Sequence, residues 1–249
     1  MTKAELKRLT SYKHEKYRNN DNLFVVEGVK MCQELLSSNY DLIAIYANEE
    51  ITDRYQVTII TDEELRRISL LSTPNKAYCL VRKPQSVAID YDNCPILALD
   101  GIKDPGNLGT IMRLADWFGV KDIVCSPDCV DVFNPKVVQA SMGSVFRTNV
   151  HYENLQHFIK SLPDDFAIYG TVVENGENIY QSKLPPRGII IIGSESFGIS
   201  NEIQALVNHP LTIPRLSLHL NKPESLNASV ATAIVLSEFK SASLRTNKK

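Results

Sequence analysis

Three stretches of this 249-residue chain carry polar side chains in patterns suited to binding or catalysis. In the first, Leu99-Asp100-Gly101-Ile102-Lys103-Asp104-Pro105-Gly106-Asn107-Leu108-Gly109-Thr110-Ile111-Met112-Arg113, an apolar strand runs into a loop rich in glycine and proline, then into a helix. Glycines there let the backbone approach a ligand closely. Asn107 is placed to cap the helix, and Arg113 lies about a turn and a half further on. The plainer reading is a tight turn followed by a surface arginine. In the second stretch, residues 190–200, a strand ends in a loop flanked by Gly193 and Gly198 that holds one carboxylate, Glu195. That carboxylate can accept hydrogen bonds or balance a cation, or simply cap a neighbouring helix. The third stretch joins Leu211-Thr212-Ile213-Pro214, through a loop, to Ser225-Leu226-Asn227-Ala228-Ser229. Ser225 can cap a last helix over residues 226–243. Asn227, one residue inside that helix, is a poor interior helix former, which favours a functional role. Ser229 and Thr232 read as close helix packing.

Each cluster falls at the carboxyl end of an expected strand, the edge at which parallel sheets bind ligands. Strands are expected over residues 96–100, 122–126, 146–152, 166–173 and 188–192, with a strand end at 211–214 and helices between them. Alternating strands and helices give an α/β fold, a mostly parallel sheet with helices on both faces. The first 83 residues form a smaller α/β unit. Its strands are expected at 23–26, 41–46, 56–60 and 78–81. Its helices run over 29–36 and from a Thr61 capping box to residue 71. Residues 84–93 mix Pro, Gln, Ser, Asp and Asn and read as a linker, so the expected units are 1–83 and 94–249.

Composition narrows the function. With 43% hydrophobic and 22% charged residues the chain can bury a core, and a net charge of -2 excludes a polybasic protein. It does not exclude a nucleic-acid enzyme with locally concentrated charge. Residues 1–18 are such a place: Lys3, Lys7, Arg8, Lys13, Lys16 and Arg18 against Glu5 and Glu15 give +4. Tyr12 and Tyr17 there could stack on bases, or the segment could be a solubilising tail. No apolar run approaches the ~20 residues of a membrane span, and the N-terminus has no apolar signal core. Five scattered cysteines without a CxxC fit a reducing cytoplasm, with Cys125 and Cys129 read as unrelated thiols. The spacings Gly101 to Gly106 and Gly193 to Gly198 imitate a phosphate loop but lack the following lysine, so nucleotide hydrolysis is disfavoured. No GxGxxG and no zinc-ligand spacing occurs, and no metal is expected.

Taken together, the clusters resemble the three signature motifs of the SpoU (TrmH-like) family of RNA ribose 2′-O-methyltransferases, in the SPOUT superfamily. Asn107-Leu108-Gly109-Thr110-Ile111-Met112-Arg113 is similar to the first motif, Gly193-Ser194-Glu195 with Gly198 to the second, and Ile213-Pro214 with Ser225-Leu226-Asn227 to the third. The stretch Phe24-Val25-Val26-Glu27-Gly28 is similar to the ribosomal-protein-like substrate-binding domain that many such enzymes carry. Two features depart from the pattern: residues 215–224 make a longer, bulkier loop than the usual one, and Ser196 stands where glycine is common.

The resemblance implies a deep trefoil knot in the C-terminal unit, with S-adenosylmethionine bent into its crevice against Thr171, Val172, Gly193, Gly198, Ile213 and Leu226. It also implies a homodimer whose sites are completed near the subunit interface. Arg113, Glu195, Asn107, Ser225 and Asn227 become the catalytic set. Arg113 would grip a phosphate and stabilise a developing alkoxide, since a guanidinium is a poor general base. Glu195 would hold Arg113 or assist proton transfer. Asn107 and Asn227 would orient ribose or fix the loops. The implied substrate is RNA, ribosomal rather than transfer given the N-terminal unit. The alternatives are transfer RNA, or a non-catalytic RNA-binding factor with the same fold.

Overall fold

The computed structural model describes residues 1–71, 75–92, 95–185, 187–217 and 224–246. They form two compact units, Met1–Ser86 with Asp131–Arg147, and Val87–Val130 with Thr148–Lys249. Cys94, expected to open the second unit, lies outside the described residues, as do residues 218–223 of the expected long loop.

The first unit begins with two helices that the hydrophobic pattern did not disclose, α1 (Lys3–Ser11) and α2 (Glu15–Asp21). The Thr2 hydroxyl caps α1 by accepting the Glu5 N–H at 3.2 Å, and Asn22, in a left-handed conformation (φ 55°), ends α2. The segment is not a loose basic tail throughout. Tyr12 is wholly buried, and the Tyr78 hydroxyl donates to the Leu9 carbonyl at 3.0 Å. Arg18 is only 1% exposed. It donates to the carbonyls of Tyr12 (2.8 Å) and Lys13 (3.0 Å) at the end of α1 and pairs with Asp131. Tyr12 and Arg18 are therefore structural, which removes them as RNA-facing groups.

The chain continues through β1 (Leu23–Glu27), α3 (Val29–Leu36), β2 (Leu42–Ala47), β3 (Val57–Ile59), α4 (Asp62–Ile68) and β4 (Ala77–Arg82). The sheet order is β1-β4-β2-β3, with β4 antiparallel to both neighbours and β2 parallel to β3. Thr61 and Glu64 form the expected capping box of α4, which stops at Ile68 rather than at 71. Leu9, Leu23, Val25, Leu65, Ile68 and Leu80 share one core.

The second unit carries β5 (Ile96–Asp100), α5 (Pro105–Trp117) and β6 (Asp122–Cys125). The chain then makes α6 (Pro135–Ser141) and a 3-10 turn over Ser144–Phe146. The expected split at 83/94 assigns these residues to the C-terminal unit; by contact, residues 131–147 belong to the first. The reason is aromatic and ionic packing: Phe133 against Phe24 at 4.6 Å, Phe146 against Tyr40 at 5.3 Å, and Arg147 paired with Glu34 at 2.9 Å. The strand expected from 146 starts later, because positive φ at Met142 (49°) and Gly143 (93°) turns the chain into the 3-10 segment.

The remaining elements are β7 (Asn149–Tyr152), α7 (Leu155–Lys160), β8 (Ala167–Thr171), the short β9 (Glu177–Asn178), β10 (Gly188–Gly193), α8 (Asn201–Gln204), β11 (His209–Thr212) and α9 (Ala228–Thr246). Seven strands lie in the order β7-β6-β5-β10-β8-β11-β9, every pair parallel. One face of the sheet buries Ile96, Ala98, Val124, Ile189 and Ile191 against α7. Alternation sends Leu97, Leu99, Ile190 and Ile192, equally buried, to the other face, and α9 packs on β10 and α5. Both faces are thus covered, as a sheet of near-continuous apolar strands requires. No helix among the described residues is long and apolar enough to cross a membrane.

Candidate active site

The carboxyl ends of β5, β10 and β11 bring the three clusters together. After β5 the chain turns through Gly101 and enters α5 at Pro105, whose fixed φ and missing N–H suit a first helical position. The cap is Asp104, not Asn107: Asp104 Oδ1 accepts the Asn107 N–H at 2.8 Å. Asn107 is left inside the first turn with its side chain free for other work. The signal was present in the sequence as the dipeptide Asp104-Pro105.

After β10 the loop closes on itself. The Ser194 N–H donates to the Gly198 carbonyl at 3.1 Å, and the Gly198 N–H donates to the Ser194 carbonyl at 2.8 Å. This makes a tight hairpin with Glu195 and Phe197 exposed on it. A Cβ on Gly193 would sit 2.1 Å from the Gly198 carbonyl carbon, so the crowding at Gly193 comes from the chain itself. Gly198 is different: nothing lies within 4 Å of a Cβ there, and its φ of +67° is what calls for glycine.

The last helix starts at Ala228, two residues later than expected, and its cap is Asn227 rather than Ser225. Asn227 Oδ1 accepts from the N–H of Ser229 (3.0 Å) and of Val230 (3.3 Å) and from the Ser229 hydroxyl (2.6 Å). Ser225 instead donates to the Glu195 carbonyl at 3.5 Å.

These pieces meet at one oxygen. Glu195 Oε1 accepts from Asn107 Nδ2, from Asn227 Nδ2 at 3.0 Å and from the Ala228 N–H at 3.2 Å; Asn227 Nδ2 also donates to Asn107 Oδ1 at 2.8 Å. A carboxylate at the amino end of α9 is further favoured by the helix dipole. The second carboxylate oxygen, Oε2, meets no donor among the described residues. Arg113, expected beside Glu195, is exposed on α5 and forms no ion pair among the described residues. The two asparagines and the helix amide take the place expected for it.

Beside this network lies a cavity of about 490 Å³. Thr171, Val172, Gly193, Gly198, Ile213 and Leu226, scattered over 56 residues of sequence from Thr171 to Leu226, all line it, and so do Glu195 and Ser225. Asn107, Asn227 and Arg113 do not. Its wall is mainly apolar, and Arg215 and Glu224, which the sequence did not mark, add charge at its edge. The volume falls within the ~300–1,000 Å³ of small-molecule sites. Among the described residues no group of three or more His, Cys, Asp or Glu could hold a metal ion.

Under the first loop, Cys129 Sγ accepts the Ile102 N–H at 3.2 Å and donates to the Leu99 carbonyl at 3.3 Å. Its thiol is held down at about 7, first by a hydrogen bond with Cys125, then by Ser126 and the Ile102 amide. Cys125 and Cys129 are both free and buried, and Cys129 staples the loop after β5 to the one after β6.

The profile of the SpoU rRNA Methylase family matches residues 95–237, and that of the MRM3-like substrate binding domain matches residues 3–79. The 23S rRNA (guanosine(2553)-2'-O)-methyltransferase RlmP of Bacillus subtilis is 26% identical over 229 residues, spanning 89% of this chain and 90% of its own. A TrmH-family protein of Porphyromonas gingivalis superposes with a TM-score of 0.84 at 33% identity, over 96% of this chain and 98% of that one. The AdoMet-bound rRNA methyltransferase of Sinorhizobium meliloti has the same fold, with a TM-score of 0.83 at 22% identity, over 97% and 95% of the two chains.

Proposed function

Because the chain belongs to the SpoU rRNA methylase family, we propose that it transfers a methyl group from S-adenosylmethionine to a ribose 2′-hydroxyl of ribosomal RNA. The observation that carries this reading is the apolar cavity at the strand ends with the Glu195 carboxylate fixed at its rim. Ribosomal RNA is favoured over transfer RNA because the match to RlmP, a 23S rRNA enzyme, extends over both units. The N-terminal unit is assigned to RNA binding; the substrate-binding profile supports this, and Lys3, Lys7, Lys13 and Lys16 remain exposed to meet phosphates. We place the enzyme in the cytoplasm.

The cofactor, when bound, supplies an electrophilic sulfonium methyl. Thr171, Val172, Gly193, Gly198, Ile213 and Leu226 hold it. A ribose hydroxyl is a weak nucleophile, so the protein must align it and help it lose its proton; alignment alone can supply ~7–11 kcal/mol of the barrier. Asn107 and Asn227 fix Glu195 through Oε1, leaving Oε2 to accept the hydroxyl hydrogen. Ser225 holds the Glu195 backbone. Arg113 grips the neighbouring phosphate and steadies charge on the oxygen. It does not line the cavity of its own chain, so we assign it to the site of a second copy in a homodimer. The 84%-exposed Trp117 on the same helix and the exposed Val230 on α9 support an α5–α9 contact face. The deep trefoil knot of the C-terminal unit belongs to the same proposal.

The test is methyl transfer from labelled S-adenosylmethionine to total RNA, with the modified position mapped. Wild type should label one ribose of ribosomal RNA. Arg113→Ala should abolish transfer while S-adenosylhomocysteine binds as before. Label on a base, or none in ribosomal RNA, would overturn the reading.

A further inference from the structure

Three side chains lining the cavity carry charge among the described residues: Glu195, Arg215 and Glu224. Their sum, one cation against two carboxylates, mirrors a ligand with a sulfonium, an ammonium and a single carboxylate. Only one of the three can meet that carboxylate. We propose that Arg215 binds the α-carboxylate of the methionyl group of S-adenosylmethionine; the inference rests on the cofactor reading above and names one contact within it.

The geometry supports the assignment in three ways. Arg215 directly follows Ile213 and Pro214, both in the cavity wall, and Pro214 fixes the direction in which the chain leaves β11. Its side chain is 29% exposed, so the guanidinium is partly withdrawn from water and its attraction for an anion is less screened than at a bare surface. Glu174 lies 3.4 Å from Nη2. That contact orients the guanidinium, whose five N–H donors form a planar fork that a planar carboxylate fits. In the same cavity, Val172, Ile213 and Leu226 offer an apolar wall of the kind an adenine face prefers. The charged side chains are then left for the zwitterionic tail. An RNA phosphate is the competing partner for an arginine at a cavity mouth, and the experiment separates the two.

Calorimetric titration of the full chain with S-adenosylhomocysteine and with 5′-methylthioadenosine provides the test. The second ligand keeps the adenosine and the sulfur but lacks the amino-acid tail. Arg215→Ala should weaken S-adenosylhomocysteine by about tenfold or more, the loss typical of one charge-assisted hydrogen bond. 5′-Methylthioadenosine should bind within about twofold of wild type, which also shows that the cavity is intact. Arg215→Lys should fall between, keeping the charge but not the fork. Equal weakening of both ligands assigns Arg215 a structural role and overturns the inference. Unchanged S-adenosylhomocysteine binding with weakened RNA binding assigns it to phosphate and overturns it too. Failure of wild type to bind S-adenosylhomocysteine at all would instead sink the cofactor reading itself.

Discussion

Replacing Gly193 by alanine separates two explanations of one glycine. A Cβ at this position lies 2.1 Å from the Gly198 carbonyl carbon, 2.3 Å from its oxygen and 2.3 Å from the Ile199 nitrogen. Ordinary contact begins near ~3.5 Å, so the two sides of the hairpin must part by more than about 1 Å. That breaks the pair of backbone bonds between Ser194 and Gly198, at 3.1 and 2.8 Å. Each contributes about 0.5–1.5 kcal/mol, giving a loss of about 1–3 kcal/mol in the protein without any ligand. The same movement carries Glu195 away from Asn107 and Asn227, so S-adenosylhomocysteine affinity falls as well. Urea unfolding of the ligand-free variant, followed by calorimetry, measures both effects. Were the glycine needed only to admit the cofactor, Gly193→Ala would unfold at the wild-type urea concentration and lose affinity alone. That result would refute the steric argument.

Two further outcomes concern the N-terminal unit. Asp131→Ala leaves the buried Arg18 guanidinium without its counter-ion and should cost about 3 kcal/mol in urea unfolding, whereas Asp131→Asn, which keeps an acceptor, should cost less; equal losses would argue against an ionic role. Burial pushes the Glu27 carboxyl above its usual 4.5, against the opposing hydrogen bonds from Ser69 and Leu70. The folded protein then holds this proton more tightly than the unfolded chain, so the group's contribution is intact below 4.5 and is lost as pH rises through the elevated value. Unfolding free energy should decline over that range in wild type and decline less in Glu27→Gln; an identical pH slope in the two proteins would contradict the assignment.

What the sequence disclosed, and what it hid, follows physical lines. The second unit's central strands were legible because they are buried on both faces and read as apolar runs, such as Ile189 to Ile192, whereas the two-residue β9, exposed at Glu177, was not. The residues of the cavity were named by the family resemblance rather than by the strand pattern, and the fold brings all six to one cavity. The partners of Glu195 were not, because Asn107 and Asn227 lie 88 and 32 residues away and only the tertiary fold joins them. Arg113 is the more obvious charge complement, and the structure gives the place to two amides and a helix end instead. The helices α1 and α2 escaped notice because their anchors are a tyrosine and an arginine, types read by default as surface. Cap positions slipped by two or three residues at both ends of the site: Asp104 displaced Asn107 because Pro105 can only open a helix, and Asn227 displaced Ser225.

The placement of residues 131–147 bears on how the protein can be taken apart. Val137 and Val138 of α6 are buried, and α6 packs on β1, although it is encoded between two strands of the catalytic sheet. A truncation that deletes the first eighty-odd residues would strip the cover from that helix and from Phe133, leaving a sticky, poorly soluble remnant. The complementary fragment would lack one wall of its own core and the counter-charge for Arg18. Neither half is a self-sufficient cassette, and a gene fusion or domain exchange within this family would have to move the α6 segment together with the N-terminal residues.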